Sequence, residues 1–126
     1  QRRLNMLLAV LEKRARFKLS QKDVFLNIAG GLKVADPALD LAVVAAVMSS
    51  NFDLVIPRRT AFAGEVGLSG EIRTVNRMDQ RVAEAEKLGF EAIYIPAGNL
   101  KGVKSDFKIK IMEVSKVTDM FRSLFE

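Results

Sequence analysis

The chain has 126 residues, of which 49% are hydrophobic, enough for one domain with a single core and too ordered a composition for a disordered tail. It contains no cysteine and no histidine, which excludes disulfides, thiolate chemistry, an imidazole base and His-ligated metal. The net charge is +5, and a basic excess of this kind favours polyphosphate partners.

In chain order, Leu4, Leu7, Leu8 and Leu11 recur at i, i+3, i+4 and i+7, the stripe of an amphipathic helix from about Arg3 to Arg14. Lys13 to Lys18 then forms a basic exit, and cations there also suit the helix dipole. Asp23 to Ala29 alternates Val24, Leu26 and Ile28 with Phe25 and Asn27, a strand closed by Gly30-Gly31. Asp36-Pro37 marks a helix start, a capping Asp followed by Pro at the first helical position. The helix that follows, Pro37 to about Ser50, is apolar almost all round and belongs in the middle of the domain. Asp40 is its odd member, and an aspartate in a first helical turn is expected to be exposed and to favour the dipole.

Thr60 to Leu68 and Glu71 to Val75 read as two strands joined through Ser69-Gly70 in a tight hairpin. Met78, Val82, Ala85 and Leu88 define a second amphipathic helix ended by Gly89. Ala92 to Ile95 is a short strand stopped by Pro96. Lys108 to Met112 is another, with Ile109 and Ile111 on one face. Ser115 can cap a last helix that turns Val117, Phe121 and Leu124 inward. Strands and helices interleave without a strict repeat, which predicts an α+β domain: a mixed sheet with packed helices. The longest apolar run, Leu39 to Met48, is broken by Asp40 and is far short of the roughly 18–20 residues of a membrane span. No signal-peptide pattern is present. The chain opens Gln1-Arg2-Arg3 without an initiator Met, so a single domain over residues 1–126, cut from something larger, is expected.

The charge is unevenly placed. Residues 1–33 hold eight Lys/Arg (Arg2, Arg3, Lys13, Arg14, Arg16, Lys18, Lys22 and Lys33) against Glu12 and Asp23, a net of +6. Residues 34–126 hold twelve against thirteen acids, a net of −1. Such a patch suits phosphates through counterion release, and equally suits a solvated face. Gly30-Gly31-Leu32-Lys33 has neither the Gly-Lys-Ser/Thr of a P-loop nor three spaced glycines, so a turn is the better reading. Glu65 and Glu71 flank the hairpin, but nothing fixes their separation as an acid/base pair. Ser49 and Ser50 lie at a helix end with no activating base.

The Gly-Gly turn, the Pro-started apolar helix, Gly64-Glu65-Val66-Gly67-Leu68-Ser69-Gly70-Glu71-Ile72-Arg73, the next helix, and Phe90 to Pro96 leading into Asn99 together resemble the Lon-type serine protease domain. The resemblance implies the Lon protease-like fold, also described as ribosomal protein S5 domain 2-like. In that family a serine follows the proline of the upstream element and a lysine activates it. Here those positions are Ala38 and Asp79, so no catalytic residues are expected. A closer resemblance rests on Leu4 to Arg14, the Asp23–Gly31 strand and turn, Asp36-Pro37-Ala38-Leu39-Asp40-Leu41-Ala42, and Arg77-Met78-Asp79-Gln80-Arg81. Together these resemble the C-terminal domain of the RadA (Sms) family of bacterial DNA repair proteins. It covers essentially the whole chain, and that family's pattern also lacks the protease serine.

The resemblance implies a non-catalytic assembly and DNA-binding domain of a cytoplasmic, DNA-dependent ATPase that forms hexameric rings and promotes branch migration. Its zinc-binding segment and its site for ATP and magnesium belong upstream, so no cofactor or metal is expected in this chain. The expected partners are DNA and further copies of the same chain, with no membrane. The candidate DNA-contacting residues are the cluster Lys13, Arg14, Arg16 and Lys18; Lys33 after the Gly-Gly turn; Arg58 and Arg59 after Pro57; and Arg73, Arg77 and Arg81. Arg77 and Arg81, four apart, are expected to share a helix face. With only Phe17 among the basic cluster, contact with phosphates is a better proposition than base stacking. Two other readings stay open: a protein-interaction module on the same scaffold, and a Lon-type peptidase, which would need the missing hydroxyl and lysine.

Overall fold

The computed structural model describes residues 6–7, 9–10, 37–57, 59–103 and 106–125. Five strands and three long helices account for most of them. The central helix, Asp40–Phe52, enters through a single 3-10 turn, Pro37–Leu39. Strands β1 (Thr60–Phe62), β4 (Ala92–Pro96) and β5 (Lys110–Val114) form a parallel sheet in the order β1-β4-β5. Strands β2 (Glu65–Val66) and β3 (Ile72–Arg73) form a separate antiparallel pair. A surface helix, Met78–Lys87, lies between β3 and β4, and a closing helix, Val117–Phe125, follows β5. The strand expected over residues 23–29 and most of the first helix lie outside the described residues; Met6, Leu7, Ala9 and Val10 are helical, with Leu7 and Val10 buried.

The layers follow from the period-two alternation of a strand. Tyr94 and Val114 turn to one face and join the central helix (Leu41, Val44, Met48) and the closing helix (Val117, Met120, Leu124). Ile93 and Ile95 turn to the other face and meet Met78, Val82 and Ala85 of the surface helix. Helices therefore cover both faces of the sheet, and β4 reads as a continuous apolar run because it is buried on both sides. The central helix lies beneath the sheet as its sequence demanded, with Val43, Val44 and Val47 all buried. No helix among the described residues is long and apolar enough to cross a membrane.

Several elements depart from expectation. The strand expected over Thr60 to Leu68 is two strands in different sheets, and the chain breaks between them at Ala63-Gly64. Gly64 explains the break: a Cβ there would lie 3.2 Å from Ile72, 3.3 Å from Leu41 and 3.3 Å from Pro96. Parallel and antiparallel pairing, expected in one mixed sheet, is thus divided between two. β5 begins two residues later than expected, with Ile109 and Ile111 still directed to one cluster. Pro96 does not stop β4 but pairs with Val114 as its last residue. Leu88 is 66% exposed, because the surface helix ends at Lys87 and Gly89 carries the left-handed turn at φ 90°. Ser115 lies ahead of a helix that starts at Val117, and its carbonyl accepts from the Ile72 amide at 2.8 Å.

The largest correction is Asp40. It is fully buried, and its carboxylate accepts the Val66 amide at 2.9 Å. The same joint contains two backbone bonds, Gly64 N–H to the Ala38 carbonyl at 3.1 Å and Leu41 N–H to the Gly64 carbonyl at 3.2 Å. Replacing Asp40 with Ala strands a buried amide, so Asp40→Ala is expected to lower unfolding free energy by about 1–3 kcal/mol. Leu88→Ser, on the surface, is expected to stay within about 0.5 kcal/mol of the parent. Urea denaturation of both variants checks the contrast; equal midpoints would remove Asp40 from the joint.

Candidate nucleic-acid interface

The hairpin turn is built by its glycines and one glutamate. Gly70 N–H donates to the Gly67 carbonyl at 3.0 Å, and Gly67 N–H to the Glu71 carbonyl at 2.9 Å. Gly70 sits at φ 81°, so the loop is a turn followed by a left-handed bulge residue, a three-residue hairpin connection. Glu71 folds back over it. A Cβ on Gly67 would fall 2.2 Å from the Glu71 carboxylate, so that position is open only because it is glycine. The carboxylate accepts the Ser69 amide at 3.0 Å and pairs with Arg73 at 2.8 Å. Its pKa lies below the ordinary value of 4.5, first through its own backbone N–H, then through the Arg73 guanidinium, with burial opposing and Ser69 assisting. Glu71 is thus a turn-holding group; Glu65 lies opposite Arg73.

After β3 the chain is clamped to the 3-10 segment Ala97–Gly102. The Asn99 side chain accepts the Val75 amide at 3.1 Å and donates to the Val75 carbonyl at 3.0 Å, reproducing a strand partner's pair of bonds. Arg81 donates through Nε to the Asn76 carbonyl at 2.9 Å and through a terminal nitrogen to Asn76 Oδ1 at 3.3 Å. Glu86, on the surface helix, accepts the amides of Lys108 and of Ile109, the latter at 2.8 Å, and so anchors the approach to β5. Neither the Asn99 nor the Glu86 role was legible in the sequence, since each joins residues more than twenty positions apart.

The basic candidates separate accordingly. Lys13, Arg14, Arg16, Lys18, Lys33 and Arg58 lie outside the described residues. Arg59 is exposed at φ 58°, ahead of β1, and its carbonyl accepts the amides of Glu91 and Ala92. Arg73 is exposed but ion-paired with Glu71. Arg81 is half-buried and donates two hydrogen bonds to Asn76. Arg77 is exposed, with φ 55°, just ahead of the surface helix. The shared helix face expected for Arg77 and Arg81 is not formed, because Arg77 lies outside the helix in a left-handed conformation. Arg59 and the Arg77 corner occupy opposite ends of the sheet, since the surface helix runs back from the end of β3 to the start of β4.

The two positions that match a protease dyad are also placed. Ala38 is buried in the 3-10 turn, its carbonyl occupied by Gly64. Asp79 is half-buried in the first turn of the surface helix. Among the described residues no group of three His, Cys, Asp or Glu is placed to hold a metal ion.

Residues 2–99 match the family model described as ChlI, subunit ChlI of Mg-chelatase. Across nearly its whole length the chain is similar to proteins named DNA repair protein RadA. It is 45% identical over 124 residues to that of Chlamydia trachomatis serovar D, covering 97% of this chain and 27% of the relative. It is 43% identical over 123 residues to that of Streptococcus pneumoniae, covering 98% and 29%. It is 45% identical over 121 residues to that of Bacillus subtilis, covering 96% and 26%. The chain therefore spans little more than a quarter of the length of these relatives.

A lowered carboxylate pKa is a stability that acid removes. Glu71 binds its proton less readily in the folded chain than in the unfolded one, so its contribution is full above the ordinary value of 4.5 and is lost as pH falls toward the lower folded value. Glu71→Gln is expected to flatten this part of the acid-unfolding curve, so that parent and variant differ most near pH 7 and converge as pH falls. Thermal melts of parent and variant from pH 7 to pH 3 check it; parallel curves throughout would refute the assignment.

Proposed function

The chain belongs to the family described as subunit ChlI of Mg-chelatase, with DNA repair proteins named RadA as relatives, and from that premise we propose that it is a non-catalytic assembly and DNA-binding domain. Its parent would be a RadA-like, DNA-dependent ATPase that processes recombination intermediates by branch migration. The similarity over 97% of the chain at 45% identity is the observation that carries this reading. The domain would adopt the Lon protease-like fold, stand at the C-terminal side of the parent, and help to close a hexameric ring in the bacterial cytoplasm. Zinc would be held by another part of the parent, since this chain has no cysteine or histidine, and ATP and magnesium by the parent's ATPase domain.

What supports a non-catalytic role is chemical. Ala38 offers no hydroxyl and Asp79 no amine, and the Ala38 carbonyl is committed to Gly64. An activated nucleophile needs both a nucleophilic atom and a base. A peptide-release assay with casein is expected to show no hydrolysis above a buffer control, and activity that responds to substitution of Ala38 would refute this.

What supports DNA contact is the charge excess of residues 1–33 together with the relatives' name. Phosphate neutralisation by those cations would release counterions and make binding salt-dependent. A second reading, a protein-interaction module without DNA contact, draws on one observation: Arg73 and Arg81 use their guanidinium groups inside the chain. One experiment separates the two. Neutralising Lys13, Arg14, Arg16 and Lys18 in the intact protein is expected to weaken DNA binding about equally across sequences and to reduce the slope of log affinity against log salt by about 0.9 per lost duplex contact. Unchanged affinity and slope in a variant that retains its oligomeric state would reject this cluster as the DNA surface.

A further inference from the structure

The corner between the hairpin and the surface helix carries more positive charge than its local structure uses. Arg73 ends β3, Arg77 precedes the surface helix, and Arg81 lies one turn into it. Lys101 lies on the facing 3-10 segment. That segment is held tightly against the corner: Asn99 takes both backbone groups of Val75, and a Cβ on Gly98 would stand only 2.8 Å from Thr74 Cγ2.

These four cations are not equivalent. Arg73 is bound to Glu71, and Arg81 to the backbone and side chain of Asn76. Arg77 and Lys101 are exposed, and no hydrogen bond or ion pair engages their side chains among the described residues. Local structure gives no reason for arginine at 77. The residue precedes a helix, yet its side chain makes no capping bond, where Ser, Thr, Asp or Asn would make one. Its φ of 55° is a conformation that Gly or Asn adopts far more readily. The setting is nevertheless firm: Asn99 fixes Val75, Arg81 fixes Asn76, and the Arg77 carbonyl accepts the Arg81 amide at 3.1 Å. A side chain on a fixed backbone has less freedom to lose on docking. The nearest acid in sequence, Asp79, is half-buried and has interactions of its own.

Resting on the DNA-binding reading, we infer that Arg77 and Lys101 are the residues of this corner that contact the phosphates of a polynucleotide, with Arg81 as a positioning residue and Arg73 neutralised by Glu71. Lys101 is not among the candidates that the sequence suggests. Two exposed cations on either side of a fixed joint suit the sugar–phosphate backbone, whose contacts position a strand without reading its bases.

The test is a salt series of oligothymidylate binding to the intact protein, followed by fluorescence anisotropy. Arg77→Gln with Lys101→Gln is expected to lower the salt slope by about 1.4, or about 0.7 per contact, which at 0.1 M salt is about 25-fold weaker binding. Arg77→Lys beside native Lys101 keeps the charge and is expected to keep the slope. Glu71→Gln with Arg73→Gln removes a pair without net charge and is expected to leave the slope unchanged. A double Arg77/Lys101 variant with parental melting temperature and parental slope overturns the inference, while the DNA-binding reading survives in the parent's own salt dependence. A parent protein that binds no oligonucleotide overturns both. Lys101→Glu alone provides a second arm should the double variant fail to fold; a parental slope there also overturns the inference.

Discussion

Everything in the described domain hangs on the joint between the start of the central helix and Gly64. Three hydrogen bonds make it: Ala38 carbonyl with Gly64, Gly64 carbonyl with Leu41, and Asp40 with Val66. They fasten the most buried helix to the link between the parallel sheet and the hairpin. A buried carboxylate is costly unless it is hydrogen-bonded, so Asp40 specifies this arrangement as well as stabilising it. If the helix slid by one residue, Asp40 would leave the Val66 amide, and both groups would be buried without each other.

That joint also bears on the missing dyad. Ala38 sits inside it, in a 3-10 turn hydrogen-bonded to Gly64, whose neighbours would crowd a Cβ at 3.2–3.3 Å. A helix start normally leaves several amides without partners. Here the Leu41 amide is taken by the Gly64 carbonyl. On the proposed reading, the position that holds a nucleophile in a protease has become a fixing point, and its neighbouring polar groups serve the fold.

Local signals carried much of this architecture and failed where distant residues decide. Pro37 and an apolar run interrupted only by Asp40 made the central helix legible, and Gly70 made the hairpin legible, because each acts through a local preference. Asp40 was misjudged as exposed because its environment is set by Val66, twenty-six residues on. The break at Gly64 was missed because β-strand pattern alone does not register crowding by Leu41, Ile72 and Pro96. Leu88 matched a helical stripe, but the helix stops before it and the stripe no longer applies. The candidate interface was legible only as a list of cations. Which of them have engaged heads depends on Glu71 and Asn76, whose partners the sequence does not announce.

This last point changes how a basic surface should be weighed. Coulomb attraction to a phosphate grows with the charge that the protein leaves uncompensated, and a guanidinium already paired with a carboxylate contributes a dipole in place of a charge. Arg73 and Glu71 together are neutral, so a strand passing the hairpin gains little from that arginine. Arg81 keeps its charge, and two of its five N–H donors hold the Asn76 oxygens, which fixes the turn that presents Arg77. The hydrogen bonds of Arg81 and Asn99 therefore hold Arg77 in place, and the useful charge at this corner depends on the uncharged Asn76 and Asn99 as much as on the cations themselves.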